Sequence, residues 1–271
     1  MIFKKVIQGI AFWPIWLLNR PQFSKFNQAA YDFALCLNGV AIGWEGQFVG
    51  YNEERFLRRH KAELNGQIIF DVGANIGTYT RAVHSICPAA KIFAFEPHPV
   101  TFQRLCQNVG AEATVLNVAL GDQCGVTMLY DFADQPFSTA ASLNQGVVSL
   151  PERGVVGHKV EVTTVDEVCK LRQIDHIALL KLDTEGTELK VLRGATRMLG
   201  ENRVGMIQFE FMWANVLTRV FMKDFFDLLS GWRIYRLALN GELLPLFPYS
   251  FKYCEIFVMS NCVALPPIAS T

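Results

Sequence analysis

From residue 68 onward, short apolar runs alternate with stretches in which apolar side chains recur every three or four positions. That is the pattern of strands joined by amphipathic helices. Ile68–Val72 reads as a buried strand, and Ile76, Tyr79, Val83 and Ile86 mark one face of the helix that follows. Lys91–Phe95 is a second strand, and Pro99 opens a helix carrying Phe102, Leu105, Cys106 and Val109. Thr114–Val118 predicts a third strand, while Gly125–Tyr130 and Lys159–Thr163 read as more solvent-facing ones. Ile177–Leu182 and Val204–Phe209 are further buried strands. The first leads into a helix through Leu189, Leu192, Ala195 and Leu199, the second into one through Leu217, Val220, Phe221, Phe225 and Leu228. Trp232–Leu239 and Tyr253–Met259 complete the strands, with the turn-rich Leu244–Ser250 between them. Right-handed crossovers turn this order into an open α/β sheet that binds ligands at the carboxyl ends of its strands.

Residues 1–51 lack the alternation and read as an extension on a domain formed by residues 52–271, which begins with a helical pattern that turns Phe56 and Leu57 inward. Within the extension, Lys4 and Lys5 precede an apolar run from Val6 to Leu18. That run is shorter than the roughly 20 residues that span a bilayer. It is read either as a segment packed on the body or on another subunit of a homo-oligomer, or as contact of residues 1–20 with a membrane surface. Residues 131–158 have loop composition and read as a lid or acceptor-recognition loop with Phe137, Ser142 and Asn144 as its contacts, or else as only a surface excursion.

Composition narrows the partners. Hydrophobic residues make up 51% of the chain and charged ones 18%, so the chain folds. Twenty-five basic side chains balance twenty-five acidic ones, and no nucleic-acid partner is expected. Seven cysteines without a CxxC pair read as reduced thiols of a cytoplasmic protein, peripheral at a membrane if residues 1–20 bind one. The five histidines show no zinc spacing, and His98 reads as a solvated cap.

The sharpest signal is Asp71-Val72-Gly73-Ala74-Asn75-Ile76-Gly77 between the first strand and helix. Its glycines allow close backbone approach and the helix start offers free N–H groups. It is not GxGxxG, because Asn75 and Thr78 occupy glycine positions, which disfavours a pyrophosphate. Glu96-Pro97 closes the second strand about 20 residues on, where a carboxylate accepts hydrogen bonds from ribose hydroxyls.

With these motifs the chain resembles the FkbM family of S-adenosylmethionine-dependent methyltransferases. The matching stretches are DVGANIG at 71–77, FEP at 95–97, NVALGD at 117–122, VEVTTVDE at 160–167 and KLDTEGTE at 181–188. The resemblance implies a class I methyltransferase fold, a Rossmann-like, mostly parallel sheet of seven strands with the last antiparallel and helices on both faces. It also implies S-adenosylmethionine as methyl donor, cradled by Asp71, Gly73, Ala74, Asn75, Gly77 and Thr78, with Glu96 and Pro97 at the ribose and Ala119 and Leu120 at the adenine. Residues 1–50 inherit nothing from it.

Lys181, Asp183 and Glu185 stand at and past the end of an apolar strand, an expensive place for charge unless it is used. They are the expected catalytic residues, Asp183 taking a proton from an acceptor hydroxyl and Lys181 lowering the acceptor's pKa or positioning its oxygen. The competing reading is that Asp183 or Thr184 merely caps the helix starting near Gly186. Asp183 with Glu210 is the pair a divalent cation would use. Trp213 reads equally as an acceptor-pocket wall or a core aromatic. The function expected is O-methylation of a small-molecule or saccharide hydroxyl. The alternatives are a nicotinamide-dependent oxidoreductase and a non-catalytic S-adenosylmethionine-binding protein.

Overall fold

The computed structural model describes residues 13–41, 50–134, 141–149 and 154–267. Among the described residues eleven strands are formed: β1 Ile68–Val72, β2 Lys91–Phe95, β3 Thr114–Leu116, β4 Ala119–Leu120, β5 Gly125–Phe132, β6 Val155–Thr163, β7 Ile177–Leu182, β8 Val204–Phe211, β9 Arg233–Leu237, β10 Leu243–Pro245 and β11 Ser260–Leu265. The main sheet has the order β10-β9-β11-β8-β7-β1-β2-β3. β3, β2, β1, β7 and β8 run parallel, and β11 runs antiparallel between β8 and β9. The expected seven-stranded sheet is therefore present, and short β10 adds an eighth strand at its edge.

β7 is buried along its whole length because helices cover both faces of the sheet, so its sequence IALLKL is a continuous apolar run with one lysine inside it. The core lies between this sheet and its helices. On one side Phe56 and Leu57 of the helix Tyr51–Arg59 meet Val83 and Ile86 of the helix Thr78–Ile86. On the other, Phe209, Phe211 and Phe225 meet Leu189 and Leu192.

Several elements differ from the sequence reading, each for a local reason. The third strand ends at Leu116, and Ala119–Leu120 leaves the main sheet to join β5 and β6 in a separate three-stranded sheet. The helix expected through Leu189–Leu199 breaks into Glu188–Arg193 and Thr196–Gly200. A Cβ at Gly194 would lie 2.0 Å from the Gly121 carbonyl, and Asp166 receives the Arg197 and Met198 N–H groups that start the second piece. The helix expected through Leu217–Leu228 also splits, at the left-handed Arg219. There the Asp224 carboxylate accepts the Phe221 N–H and begins a new N-terminus. Tyr253–Met259 is not a strand. Phe251–Cys254 is helical, Glu255 is drawn away to accept the Met222 and Lys223 N–H groups, and pairing begins only at Ser260. Residues 131–158 contain the ends of β5 and β6 and a short helix Gln145–Val148.

Candidate active site

A cleft of about 480 Å³ opens along the carboxyl ends of β1, β2, β7 and β8, within the range of small-molecule sites. The loops that follow these strands bring distant residues to one wall. Asp71, Gly73, Ala74, Asn75, Thr78, Glu96, Pro97, Ala119, Leu120, Lys181, Asp183, Glu185 and Glu210 all line it.

Gly77 does not. It is left-handed at φ 90°, and a Cβ there would meet Val109 and Leu105 at 2.6 and 2.8 Å, so its missing side chain is what helix packing requires. Gly73 lines the cleft, but its freedom is also needed inside the protein. At φ 83° its Cβ would lie 1.8 Å from the Asp183 carbonyl oxygen, because the loops after β1 and β7 touch there.

Glu96 is buried, and each of its oxygens accepts a backbone N–H: Oε2 from Asn75 at 2.9 Å and Oε1 from His98 at 2.7 Å. Burial pushes its carboxyl up to about 7 although both N–H groups pull it down. His98 does cap the helix Pro99–Val109, its Nδ1 accepting the Thr101 N–H, but it is buried rather than solvated. Its Nε2 lies 3.5 Å from Asp131 of β5, which brings the second sheet against the cleft.

The other end of the cleft is acidic. Lys181 points up from β7 with 2% of its side chain exposed, 2.9 Å from Asp183 and 3.6 Å from Glu53. Burial alone would lower the lysine, yet Asp183, Glu53, Glu210 and Asp71 together hold it well above its usual range. Gln208 of β8 donates to Glu53 at 2.6 Å and accepts from the Tyr79 hydroxyl at 2.9 Å, closing a network beneath the cleft floor. Asp71 accepts from Thr80 at 2.6 Å, and burial raises it to about 6. Burial also raises Glu53, Glu185 and Glu210, the last two well above the ordinary carboxylate range.

Four carboxylates thus act on one ammonium, and two of them, Asp183 and Glu53, pair with it directly. Among the described residues no three metal-type side chains converge on a metal-sized site. The cation the carboxylates already surround is Lys181.

The expected helix cap at Asp183 or Thr184 is replaced by the reverse arrangement. Glu188 Oε1 accepts from Thr184 N, Thr184 Oγ1 and Gly186 N at 2.9, 3.0 and 3.1 Å and ties the loop down from its far side. That loop holds Glu185 in a left-handed conformation at φ 53°, toward the cleft. Of the expected lid contacts, Ser142 is buried and donates to the Glu185 carbonyl, Asn144 caps the short helix Gln145–Val148, and Phe137 lies outside the described residues. Their neighbours Ala141 and Leu143 line the cleft instead. Trp213 packs with Val147, Met212 and Met259, away from it.

Sequence reasoning missed Glu53, Gln208, Tyr79 and Glu188. Gln208 carried a usable signal, a lone amide inside the apolar strand GMIQFEF. Glu53 did not, since it reads as one more surface charge of its helix.

Comparison with known proteins bears on the same region. The methyltransferase FkbM domain matches residues 71–230. The chain is 31% identical to the 31-O-demethyl-FK506 methyltransferase FkbM of Streptomyces tacrolimicus over 55% of this chain and 68% of that protein. It is 34% identical to the hexuronic acid methyltransferase AglP of Haloferax volcanii, over 49% of this chain and 51% of that one. It is 27% identical to the 2-O-methyltransferase NoeI of Sinorhizobium fredii, over 50% and 60%. The chain therefore spans about half to two thirds of the length of these relatives.

Proposed function

The chain belongs to the FkbM methyltransferase family, and on that premise we propose that it transfers a methyl group from S-adenosylmethionine to a hydroxyl of a small-molecule or saccharide acceptor. The observation that carries the reading is the excess of buried carboxylates over cations in the cleft. Asp71, Glu185 and Glu210 are raised by burial first and then by neighbouring carboxylates, Asp183 acting on all three, a cost that a cationic ligand relieves. A sulfonium is such a ligand, and it supplies an electrophilic methyl group.

The residues present fit that donor. Glu96, fixed through two N–H groups at the end of β2, offers its carboxylate to a ribose diol, and Val118, Ala119, Leu120 and Leu129 give an apolar wall for a base. Asp71 with the loop Gly73–Asn75 faces the other end. The same acidic lining opposes the pyrophosphate of a nicotinamide dinucleotide, which weighs against the oxidoreductase alternative together with the missing GxGxxG.

Methyl transfer gains most from positioning, and a hydroxyl acceptor must also lose its proton. Asp183, its side chain 36% exposed toward the cleft, takes that proton. Lys181, beneath it, is a positioning residue that holds the Asp183 carboxylate through the 2.9 Å ion pair, while Glu53 and Gln208 hold Lys181. Glu185 adds negative charge beside the acceptor. No cation beyond Lys181 is needed for these roles.

The three relatives act, by their names, on 31-O-demethyl-FK506, on a hexuronic acid and at a 2-O position. That supports an oxygen acceptor on a small molecule or sugar.

The test is transfer of labelled methyl from S-adenosylmethionine into fractionated lysate, together with calorimetry using S-adenosylhomocysteine and NAD. Expected are label in a saccharide or small-molecule fraction, binding of S-adenosylhomocysteine, and no binding of NAD. Binding of S-adenosylhomocysteine that survives Asp183→Asn alongside lost transfer supports the enzyme. Binding without transfer in the unmodified protein turns the reading toward a non-catalytic binder.

A further inference from the structure

Residues 13–18 are helical, and a second helix, Ser24–Leu37, follows. Asn27 donates to the Leu18 carbonyl at 2.9 Å and joins the two into one arm. The arm hardly touches the body. Its single buried side chain in the second helix is Leu35. Phe26, Ala30, Phe33 and Leu37 recur every three or four residues and so share one stripe, which faces solvent, with Phe26, Phe33 and Leu37 58 to 66% exposed. Trp13, Ile15, Trp16 and Leu17 of the first helix are also more than half exposed. Large apolar side chains exposed in this number on one short arm call for a partner.

Charge says which. The first 37 residues hold four basic side chains, Lys4, Lys5, Arg20 and Lys25, and one acidic, Asp32. Within the described arm, residues 13–37, Arg20 and Lys25 stand against Asp32, while residues 38–271 hold twenty-one basic and twenty-four acidic, so the balanced total hides a positive amino-terminal stretch on a negative body. Arg20 sits 4.7 Å over the Trp16 ring, at the junction of the two helices. Tryptophans and basic groups bordering an apolar stripe are the chemistry of the interface of an anionic bilayer. Two arms of like charge, by contrast, repel each other.

The arm also leaves the fold at a telling place. Val40 is buried and Ala41 N–H donates to the Met259 carbonyl at 2.7 Å, beside Ser260, which pairs with Phe211 at the carboxyl end of β8. Gly50, Glu53 and Glu54, where the described chain resumes, line the cleft. We propose that the arm formed by residues 13–37 docks on an anionic lipid surface and holds the cleft edge of the sheet next to that surface.

Sedimentation of the full chain with phosphatidylcholine vesicles, with and without phosphatidylglycerol, tests this and needs neither cofactor nor acceptor. Its failure is therefore separable from failure of the methyltransferase reading. The protein is expected to bind vesicles containing phosphatidylglycerol and to be released at about 0.5 M salt, where screening reaches within a few Å. Trp16→Glu with Phe33→Glu, both solvent-facing, is expected to cut the bound fraction roughly tenfold or more while S-adenosylhomocysteine binding and Tm stay unchanged. Replacing Lys4, Lys5 and Lys25 with Gln lowers binding without those controls moving. Absence of binding, or equal binding to neutral vesicles, overturns the proposal. So does a dimer in light scattering that Phe33→Glu dissociates without any vesicle binding, since the stripe then covers a second copy.

Discussion

Glu96 shows how a single side chain ties chemistry to pH. Its carboxyl is raised to about 7 and that of Asp71 to about 6 by burial, so the folded protein favours their protonated forms. The stability these groups contribute is full below their ordinary values and is lost as pH rises through about 6 and about 7. Ligand binding has the opposite sign, because a ribose diol donates to the carboxylate. The affinity for S-adenosylhomocysteine is expected to rise with pH up to about 7, by at most about tenfold per unit, and calorimetry on Glu96→Gln should show a weaker complex with a flatter pH profile. Gly73→Ala puts a methyl group 1.8 Å from a carbonyl oxygen at a left-handed position and should cost more than about 3 kcal/mol, read as a fall in Tm. Gly77→Ala has strain of the same kind without a place in the cleft. If it folds, its S-adenosylhomocysteine affinity should match that of the unmodified protein. Gly73, Asn75 and Glu96 could be named from the sequence because their motif sits at a strand end. The two reasons for the two glycines could not, since both depend on residues 28 to 110 positions away.

Among the elements, the helix Tyr51–Arg59 matters most to the site. It delivers Glu53 beneath Lys181, and Gln208 from β8 locks it there. Glu53→Gln removes one carboxylate from the lysine and should lower kcat more than it changes the affinity for S-adenosylhomocysteine, because it acts through Lys181 on Asp183. Equal losses in both would mean a merely structural role. Lys181→Met leaves buried carboxylates without their counter-charge and should cost roughly 3 to 5 kcal/mol in a thermal or denaturant melt. The helical periodicity of this segment was plain in the sequence, with Phe56 and Leu57 inward, but a hydrophobic pattern has no term for a charge turned toward another charge. The same limit explains the two split helices. Apolar spacing continues through Gly194 and Arg219, while the breaks come from the Gly121 carbonyl and from capping by Asp166 and Asp224.

At the scale of the whole molecule, the site collects residues from the ends of β1, β2, β7 and β8 and from a helix that precedes them all. Methyl transfer is expected to persist undiminished in excess EDTA, since the carboxylates surround Lys181 rather than a metal-sized gap. A strict requirement for a divalent ion would send Asp183 and Glu210 back to the role of ligands. The alternation of strands and helices through the central parallel sheet and the position of the cleft at its carboxyl edge were determined by the sequence alone, because burial on both faces and right-handed crossovers leave few ways to assemble alternating apolar runs. The tertiary structure alone decided that β11 threads between β8 and β9, that Ala119–Leu120 starts a second sheet, and that four carboxylates gather around one lysine. Periodicity records which side of an element faces the core. Charge pairing and close backbone contact depend on neighbours far along the chain, and these become visible only when the elements have packed.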